Sequence, residues 1–399
     1  MLHILIKTTS DAWAKSRIED APQAAERLLK RLLANDDIEP DTLSYQGVMD
    51  AWAQSGSDEA LAKVQQIYKH MERLHESGKG VKPSIRTVNS VLNAYSKRAA
   101  SYTSNFRNMD NDKAAECAYK ALDILREAQK KHAETGDPAD MPDVLTYTTV
   151  MDAFSRCGMY KTTQEAENLL QELKQVSEKS KNKRLNPNYR TYTTLITAWS
   201  RTKSAESPER AEAILKQMGD DPMTRPNART YTTLIQCYAK SRDGNKARKA
   251  LEILRDMKEQ YKESGNAEIR PTILTYNAAI DACARCQGNM EQQANSIKIA
   301  FAIMKAAEQD EHVQPNHLTY STLIRATAHQ LSSGPERSKV AAAVFTKAKE
   351  KGLVDFTTLK NLRKAVDIST MSKLCDGIAD QNGAVDYKDI PTAWSKNVK

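Results

Sequence analysis

Apolar residues recur at i, i+3, i+4 and i+7 inside a phrase that returns about every 40–60 residues along the chain. Tyr192, Leu195, Ile196 and Trp199 form one such set, and Tyr147, Val150, Met151 and Phe154 another. Tyr231, Leu234, Ile235 and Tyr238 repeat it. This spacing places four side chains on one face of a helix. The phrase reads T-Y-T-T-V-M-D-A-F at 146–154, T-Y-T-T-L-I-T-A-W at 191–199, T-Y-T-T-L-I-Q-C-Y at 230–238 and T-Y-N-A-A-I-D-A-C at 275–283. Looser copies lie at 44–52, 87–95 and 319–327, and a ragged one at 5–13. A helical phrase repeated in this way predicts a stacked array of helical units.

Each phrase is preceded by proline and a small polar residue: Pro40-Asp41, Pro83-Ser84, Pro142-Asp143, Pro187-Asn188, Pro226-Asn227, Pro271-Thr272 and Pro315-Asn316. Asp, Asn, Ser and Thr accept hydrogen bonds from the free N–H groups of a helix start, so each phrase opens a helix. A small residue sits near the end of every phrase (Ala12, Ala51, Ala94, Ala153, Ala198, Cys237, Ala282 and Ala326), a column that lets neighbouring helices approach closely. A polar turn follows, then a second amphipathic helix, expected at 61–74, 163–176, 208–218, 247–261, 294–308 and 338–350. Pro208 suits the first turn of its helix. Two antiparallel helices cannot bury their apolar faces alone, so the units stack.

The expected units are 42–84, 85–143, 144–188, 189–227, 228–272, 273–316 and 317–355, with a partial repeat at 1–41. Their lengths run from 39 residues (189–227) to 59 (85–143), the excess being assigned to polar loops at 98–112, 131–142, 177–186 and 262–270. A helix near 356–367 is expected to cap the stack, and the 356–399 segment to end in a tail with a turn at Asp380-Gln381-Asn382-Gly383 and a terminal Trp394.

Composition changes this picture little. The 399 residues are 40% hydrophobic and 28% charged, with a net charge of +8 that tilts modestly towards an acidic partner. No apolar run approaches a membrane span. Six scattered cysteines make no disulfide framework and suggest a reducing compartment. Cys283 and Cys286 form a C-x-x-C with no second pair and no grouped histidine, so two small helix residues is the better reading than a metal site. No cofactor is implied. Residues 2–13 already resemble the inside of a repeat helix, with no signal or transit segment before them. Either the array begins abruptly or the chain lacks its true N-terminus.

The first helices carry a second, polar stripe. Arg190, Thr193, Thr197 and Arg201 fall on one line, expected to face outward or into a groove. Its last member is basic in six units, as Lys15, Lys97, Arg156, Arg201, Lys240 and Arg285, with Gln54 and His329 in the others. A positive charge at one phase of each unit matches a row of phosphates. Complementing the helix dipole is the plainer account of the same charges. The first member is Leu43, Arg86, Leu145, Arg190, Arg229, Leu274 or Leu318, where an aliphatic chain or a flat guanidinium can pack on a base. The residue after each tyrosine or valine is small and polar (Asn89, Thr148, Thr193, Thr232, Asn277 and Ser321), with Gln46 as a departure; such side chains donate and accept hydrogen bonds, as reading a base edge requires.

The pattern T-Y-[NT]-T-[LV]-I-x-A-[WFY] behind Pro-[DN] resembles the pentatricopeptide repeat family, over about 350 of the 399 residues. Tetratricopeptide repeats, the near neighbour, lack the Pro-Asp/Asn and Thr-Tyr junction. The resemblance implies an all-α fold, a right-handed α-solenoid of stacked antiparallel helix pairs. It implies single-stranded RNA binding, one base per unit, with the RNA running 5′ to 3′ from the N- to the C-terminal end. It further implies that the residue after the tyrosine pairs with the residue after the next proline. Asn89 with Asp143 would favour U. Thr148 with Asn188, and Thr193 with Asn227, would favour A. Asn277 with Asn316 would favour C or U. Thr232 with Thr272 departs from the common pairs and is assigned a purine; Gln46 with Ser84 departs and is assigned no base. Ser321 lacks a proline junction, which leaves its partner open. By the same resemblance the chain acts in a mitochondrion or plastid, in RNA stabilisation, processing, splicing or translation.

No deaminase signature and no nuclease-like Asp/Glu cluster stands in the chain, so the expected mode is passive occupation of RNA by a non-enzyme, acting as a monomer. The rival reading is a protein-binding scaffold, since solenoids present long surfaces to peptides as well, and loop insertions such as the one holding Lys179, Lys181, Lys183 and Arg184 could meet protein partners.

Overall fold

Residues 20–34, 40–79, 81–105, 108–219 and 221–398 are described by the structure, a computed structural model. The ragged phrase at 5–13, Ala12 and Lys15 lie outside them. Every regular element among the described residues is helical. The chain divides into two compact units, Met1–Thr202 and Lys203–Lys399.

The first unit holds α1 (Ala21–Leu33), α2 (Thr42–Ser55), α3 (Ala60–Glu76), α4 (Ile85–Ser104), α5 (Asn111–Thr135), α6 (Val144–Cys157), α7 (Tyr160–Ser180) and α8 (Tyr189–Thr202). The repeat phrases lie on α2, α4, α6 and α8, which pack in succession, while α3, α5 and α7 pack behind them. The second unit holds α9 (Ser207–Lys216), α10 (Ala228–Lys240), α11 (Lys246–Ser264), α12 (Ile273–Ala284), α13 (Met290–Glu308), α14 (His317–Gln330), α15 (Pro335–Glu350), α16 (Phe356–Ala365), α17 (Ile368–Leu374) and α18 (Thr392–Ser395). Here α10, α12, α14 and α16 pack in succession, and α11, α13 and α15 are their antiparallel companions. Both units are therefore helix-pair stacks, the all-α solenoid class that the phrase predicts.

The start of each phrase helix follows from its local sequence. At α6 the Thr146 N–H donates to Asp143 Oδ1 at 3.0 Å, and the Asp143 N–H donates back to Thr146 Oγ1 at 3.1 Å. The same reciprocal box opens α4, α10, α12 and α14. Each box satisfies two N–H groups that a helix end otherwise leaves bare. The apolar face then goes inward: Tyr45, Tyr147, Tyr192, Tyr231, Tyr276 and Tyr320 are all buried. So are Ala51, Ala94, Ala153, Ala198, Cys237, Ala282 and Ala326, the column of small residues.

The loops are shorter than the sequence suggests. In place of a turn beginning at 98, α4 runs to Ser104. Arg98 lies over the Tyr102 ring, 4.6 Å from its centroid, and Ala99 between them is buried, so one more turn of helix is held. Helices α5, α7 and α11 likewise continue to Thr135, Ser180 and Ser264. Gly136 and Gly265, each with φ of 63°, stop two of them in the left-handed conformation that a Cβ disfavours.

The C-terminal segment closes the second unit. Asp355 opens α16 without a proline, its Oδ1 accepting from the Thr358 N–H at 2.7 Å. The turn at 380 forms, with Gly383 N–H donating to the Asp380 carbonyl at 2.9 Å. Residues 383–385 lie along Phe356, Leu359 and Arg363 of α16. Trp394 packs edge-on against Phe345 and beneath Lys349, and its carbonyl accepts from Val354 N–H at 2.7 Å.

Candidate nucleic-acid interface

The seven positions expected to pack on bases share one environment. Leu43, Leu145, Leu274 and Leu318 are exposed by 38–62%, and Arg86, Arg190 and Arg229 are exposed as well. Four exposed leucines in register cost solvation unless something covers them. All seven stand one residue before the buried hydroxyl residue of the cap turn: Ser44, Thr87, Thr146, Thr191, Thr230, Thr275 or Thr319.

Three of the expected base readers, Thr148, Thr232 and Asn277, fall at junctions between consecutive phrase helices. Asn277 Nδ2 donates to Asn316 Oδ1 at 3.2 Å, bringing together a reader and the next cap. Between them stands Thr319, whose Oγ1 is 2.7 Å from Asn277 Oδ1 and 3.1 Å from Asn316 Oδ1. Thr191 plays the same part between Thr148, at 3.0 Å, and Asn188, at 3.4 Å. Thr275 does so between Thr232, at 2.9 Å, and Thr272, at 3.3 Å. Asn227 caps α10 through its Oδ1, which accepts from Thr230 N–H at 3.1 Å.

Asn89 differs. Its Oδ1 and Nδ2 are both buried without a partner among the described residues, and Asp143 accepts instead from the Thr146 hydroxyl at 3.0 Å. Ser321, whose partner the sequence leaves open, is held by Asn361: the amide donates to its Oγ at 3.0 Å and its carbonyl at 3.1 Å. No proline marks that junction, but the spacing of Asp355 and Thr358 repeats that of Asn316 and Thr319 and could have been found.

Two readers depart from expectation. Thr193 donates to the Tyr189 carbonyl at 2.7 Å and Thr232 to the Ala228 carbonyl at 2.6 Å, and both are buried. A hydroxyl has one proton, so neither keeps a donor for a base; each offers an acceptor at most.

The basic row is corrected more heavily. Arg156 is paired with Asp152, Nη2 to Oδ2 at 2.9 Å, and Arg285 with Asp281, Nε to Oδ2 at 2.8 Å. Arg325 also pairs with Asp281. Arg201 turns inward, its Nη1 donating to the Ser155 carbonyl at 3.1 Å. Burial, then the charge of nearby Arg156, pulls the Arg201 guanidinium below its ordinary pKa. Lys97 is half-buried and Lys240 exposed. Lys15 lies outside the described residues.

The stripe contains an acidic member that the sequence reading missed. Asp50, Asp152 and Asp281 occupy its third place, between the reader and the basic residue. The Ser90 hydroxyl donates to Asp50 at 2.5 Å and the Ser96 hydroxyl to Asp152 at 2.6 Å, tying neighbouring phrase helices together. Their signal was the recurring aspartate of V-M-D-A and I-D-A.

Other chemistry is sparse. Cys283 is buried in α12, and the Cys286 thiol donates to the Gly244 carbonyl at 3.2 Å. Among the described residues no group of three or more His, Cys, Asp or Glu is placed to hold a metal, and no helix is long and apolar enough to cross a membrane.

A repeated helix pair with capped junctions of this kind defines a helical-repeat protein, and sequence comparison names the repeat. The pentatricopeptide repeat domain matches residues 28–98, 175–240 and 213–285, and the PPR repeat matches 145–176. Together these matches cover over half of the chain, which belongs to the pentatricopeptide repeat family. No curated protein is matched. Among solved structures, the crystal structure of the pentatricopeptide repeat protein PPR10 from maize is similar at 18% identity and a TM-score of 0.43, covering 94% of this chain and 48% of that one. The chain thus spans about half the length of that relative.

Proposed function

We propose that the chain binds single-stranded RNA in a sequence-dependent way, one base per repeat, and serves organellar RNA stabilisation, processing, splicing or translation. The observation that carries this reading is the register of the stripe. At Leu43, Arg86, Leu145, Arg190, Arg229, Leu274 and Leu318 an exposed side chain able to pack on a base recurs. In three repeats the reader beside it is joined to the next cap through one threonine. Bases stack on such side chains whatever their identity, while amides and hydroxyls read their edges. The mechanism is passive: the bound segment is withheld from nucleases and from self-pairing.

The pairs Asn89/Asp143, Thr148/Asn188, Thr193/Asn227, Thr232/Thr272 and Asn277/Asn316 order the bases as U-A-A-purine-pyrimidine. Selection from a random single-stranded RNA pool by the purified chain, near physiological salt, tests this. Enrichment of U-A-A followed by a purine is the expected result. An unrelated motif would retain RNA binding and overturn the pairing. No retained RNA, from protein shown to be folded, would transfer the function to a protein-binding scaffold. Family membership points to a mitochondrion or plastid, which imaging of a fluorescent fusion in cells tests.

A further inference from the structure

The residue three places after each cap has one hydroxyl proton and more than one acceptor within reach. Where it goes follows the chemistry of the cap. At the carboxylate caps the hydroxyl lies close to the cap: Ser44 to Asp41 Oδ1 at 2.6 Å, Thr146 to Asp143 Oδ1 at 3.0 Å and Thr358 to Asp355 Oδ1 at 2.5 Å. At the neutral caps it lies farther off: 3.4 Å at Asn188, 3.1 Å at Asn227, 3.3 Å at Thr272 and 3.1 Å at Asn316. In three of these it is nearer the reader of the preceding repeat, at 3.0, 2.9 and 2.7 Å from Thr148, Thr232 and Asn277. The direction is settled at Thr275: Thr232 has given its own proton to Ala228, so Thr275 is the donor. At the carboxylate caps Asp143 and Asp355 the preceding readers make no such bond among the described residues. Asn89 has no partner among the described residues, and Ser321 is held by Asn361. At Ser84 the Thr87 hydroxyl goes to the cap's own carbonyl, at 2.7 Å.

We propose that this hydroxyl proton is a relay: it reports the identity of the cap residue to the reader of the preceding repeat and so decides which hydrogen-bonding groups that reader has left for RNA. An ionised carboxylate accepts a bond roughly twice as strong as a neutral amide does and captures the proton. The reader then keeps its acceptor, as Asn89 does. A neutral cap loses the competition, and the proton occupies the reader.

At the Asn277/Asn316 junction the consequence is definite. Asn277 Oδ1 accepts from Thr319, and one Nδ2 hydrogen goes to Asn316 Oδ1. Asn316 Oδ1 is further occupied by the Thr319 N–H at 3.1 Å. Asn316 Oδ1 is filled and Asn277 Oδ1 keeps one lone pair, while three of the four amide N–H hydrogens are left, so donors outnumber acceptors. A surface richer in donors suits cytosine, whose N3 accepts, over uracil, whose N3–H donates. The relay therefore narrows this junction from either pyrimidine to cytosine and makes Thr319 a positioning residue. The inference rests on the RNA-binding reading above.

The test is a double-mutant cycle read as a ratio. Affinities are measured for two RNAs that differ only by C or U at this register, with wild type, Asn316→Asp, Thr319→Val and the double variant. Wild type is expected to favour C, and Asn316→Asp to move the C:U ratio towards U. In the Thr319→Val background the same change should move the ratio by a factor about fivefold smaller, the worth of one neutral hydrogen bond. Thr319→Ser, which keeps the hydroxyl, should restore the wild-type response. A stability loss from the damaged cap affects both RNAs alike and leaves the ratio untouched. A discriminating wild type whose Asn316→Asp shift is equal with and without the hydroxyl would overturn the relay alone. A folded wild type that binds neither RNA would overturn the RNA reading and the relay with it, whereas one that binds both equally would overturn the relay and leave the RNA reading standing.

Discussion

Asn277 donates from its side-chain amide to Asn316, 39 residues further on and in the next repeat, at 3.2 Å. The reading element at this place is therefore a junction, built half from each of two repeats. Asn277→Ala and Asn316→Ala should relax base choice at the same single register and leave the others unchanged. Residues that share a contact do not act independently, so the double substitution should cost less than the two single costs added together. Binding to RNAs varied one base at a time checks this; effects at two separate registers would rule out the shared junction.

Asn188→Asp should preserve the cap of α8, since a carboxylate accepts from Arg190 N–H and Thr191 N–H as the amide oxygen now does at 3.0 and 3.2 Å. By the family pairing, preference at the Thr148 register should shift from A to G. Unchanged affinity for RNAs carrying either base would remove Asn188 from the readers.

The corrected basic row predicts a shallow salt dependence. Six phosphate contacts by unpaired cations would give a slope near −4 on a log–log plot for a single strand. Arg156 is paired with Asp152, Arg285 shares Asp281 with Arg325, and Arg201 is tied to a carbonyl. A cation already held by a carboxylate contributes less to counterion release than a free one. The slope should therefore be clearly shallower than −4. A measured slope near −4 would show that RNA displaces the aspartates. Arg201→Ala should act on stability instead, losing about 1 kcal/mol in denaturant unfolding while affinity for all RNAs stays nearly constant.

The column of small residues sets the spacing of the phrase helices. Ala153 is fully buried. Ala153→Leu should lower the unfolding free energy of the first unit by about 1–3 kcal/mol, because the added methyl groups have no space. Ala153→Gly should cost about 1 kcal/mol through helix propensity alone. Denaturant titration of the three proteins separates the two effects; a tolerated leucine would mean the column is not a packing constraint.

Glu172 accepts from Arg126 at 2.6 and 2.8 Å, from Gln129 at 2.7 Å and from Tyr147 at 3.1 Å, linking α5, α6 and α7. Burial raises its carboxyl pKa, but the hydrogen bonds from Arg126 and Gln129 outweigh burial and hold it below the usual value. A folded-state pKa below the unfolded one gives stability that is fully present above the unfolded value. It is lost as pH falls through the folded one. The gap in thermal midpoint between wild type and Glu172→Gln should therefore be widest at neutral pH and narrow below about pH 4. A gap that stays constant across that range would mean the charge contributes nothing.

The helix starts and the buried face could be read from the chain because both depend on near neighbours: a cap and its threonine, or apolar residues one turn apart. Helix ends were less legible. Arg98 and Tyr102 stand one turn apart, but no run of apolar residues at helical spacing marks α4 as continuing past residue 98. The places of the expected readers along the helix follow from the spacing, whereas their hydrogen bonding does not. Thr193 and Thr232 read as donors in sequence, and only the geometry shows their protons already given to carbonyls. The basic row misled for a related reason. Its aspartate companions stand in four of the eight phrases (Asp11, Asp50, Asp152 and Asp281), with Asn93, Thr197, Gln236 and Arg325 in the equivalent places elsewhere. Half a column of acids does not stand out in the sequence.

Identical modules that stack face to face carry no instruction to stop, and a chain left with a bare apolar face could go on adding partners end to end. In the second unit that last face is used up from within. Residues 383–385 run along α16, and Trp394 sits on α15 with its carbonyl bound to Val354. There a strip of tail takes the place that a further repeat would fill, so this end of the second unit needs no second chain to cover its apolar face.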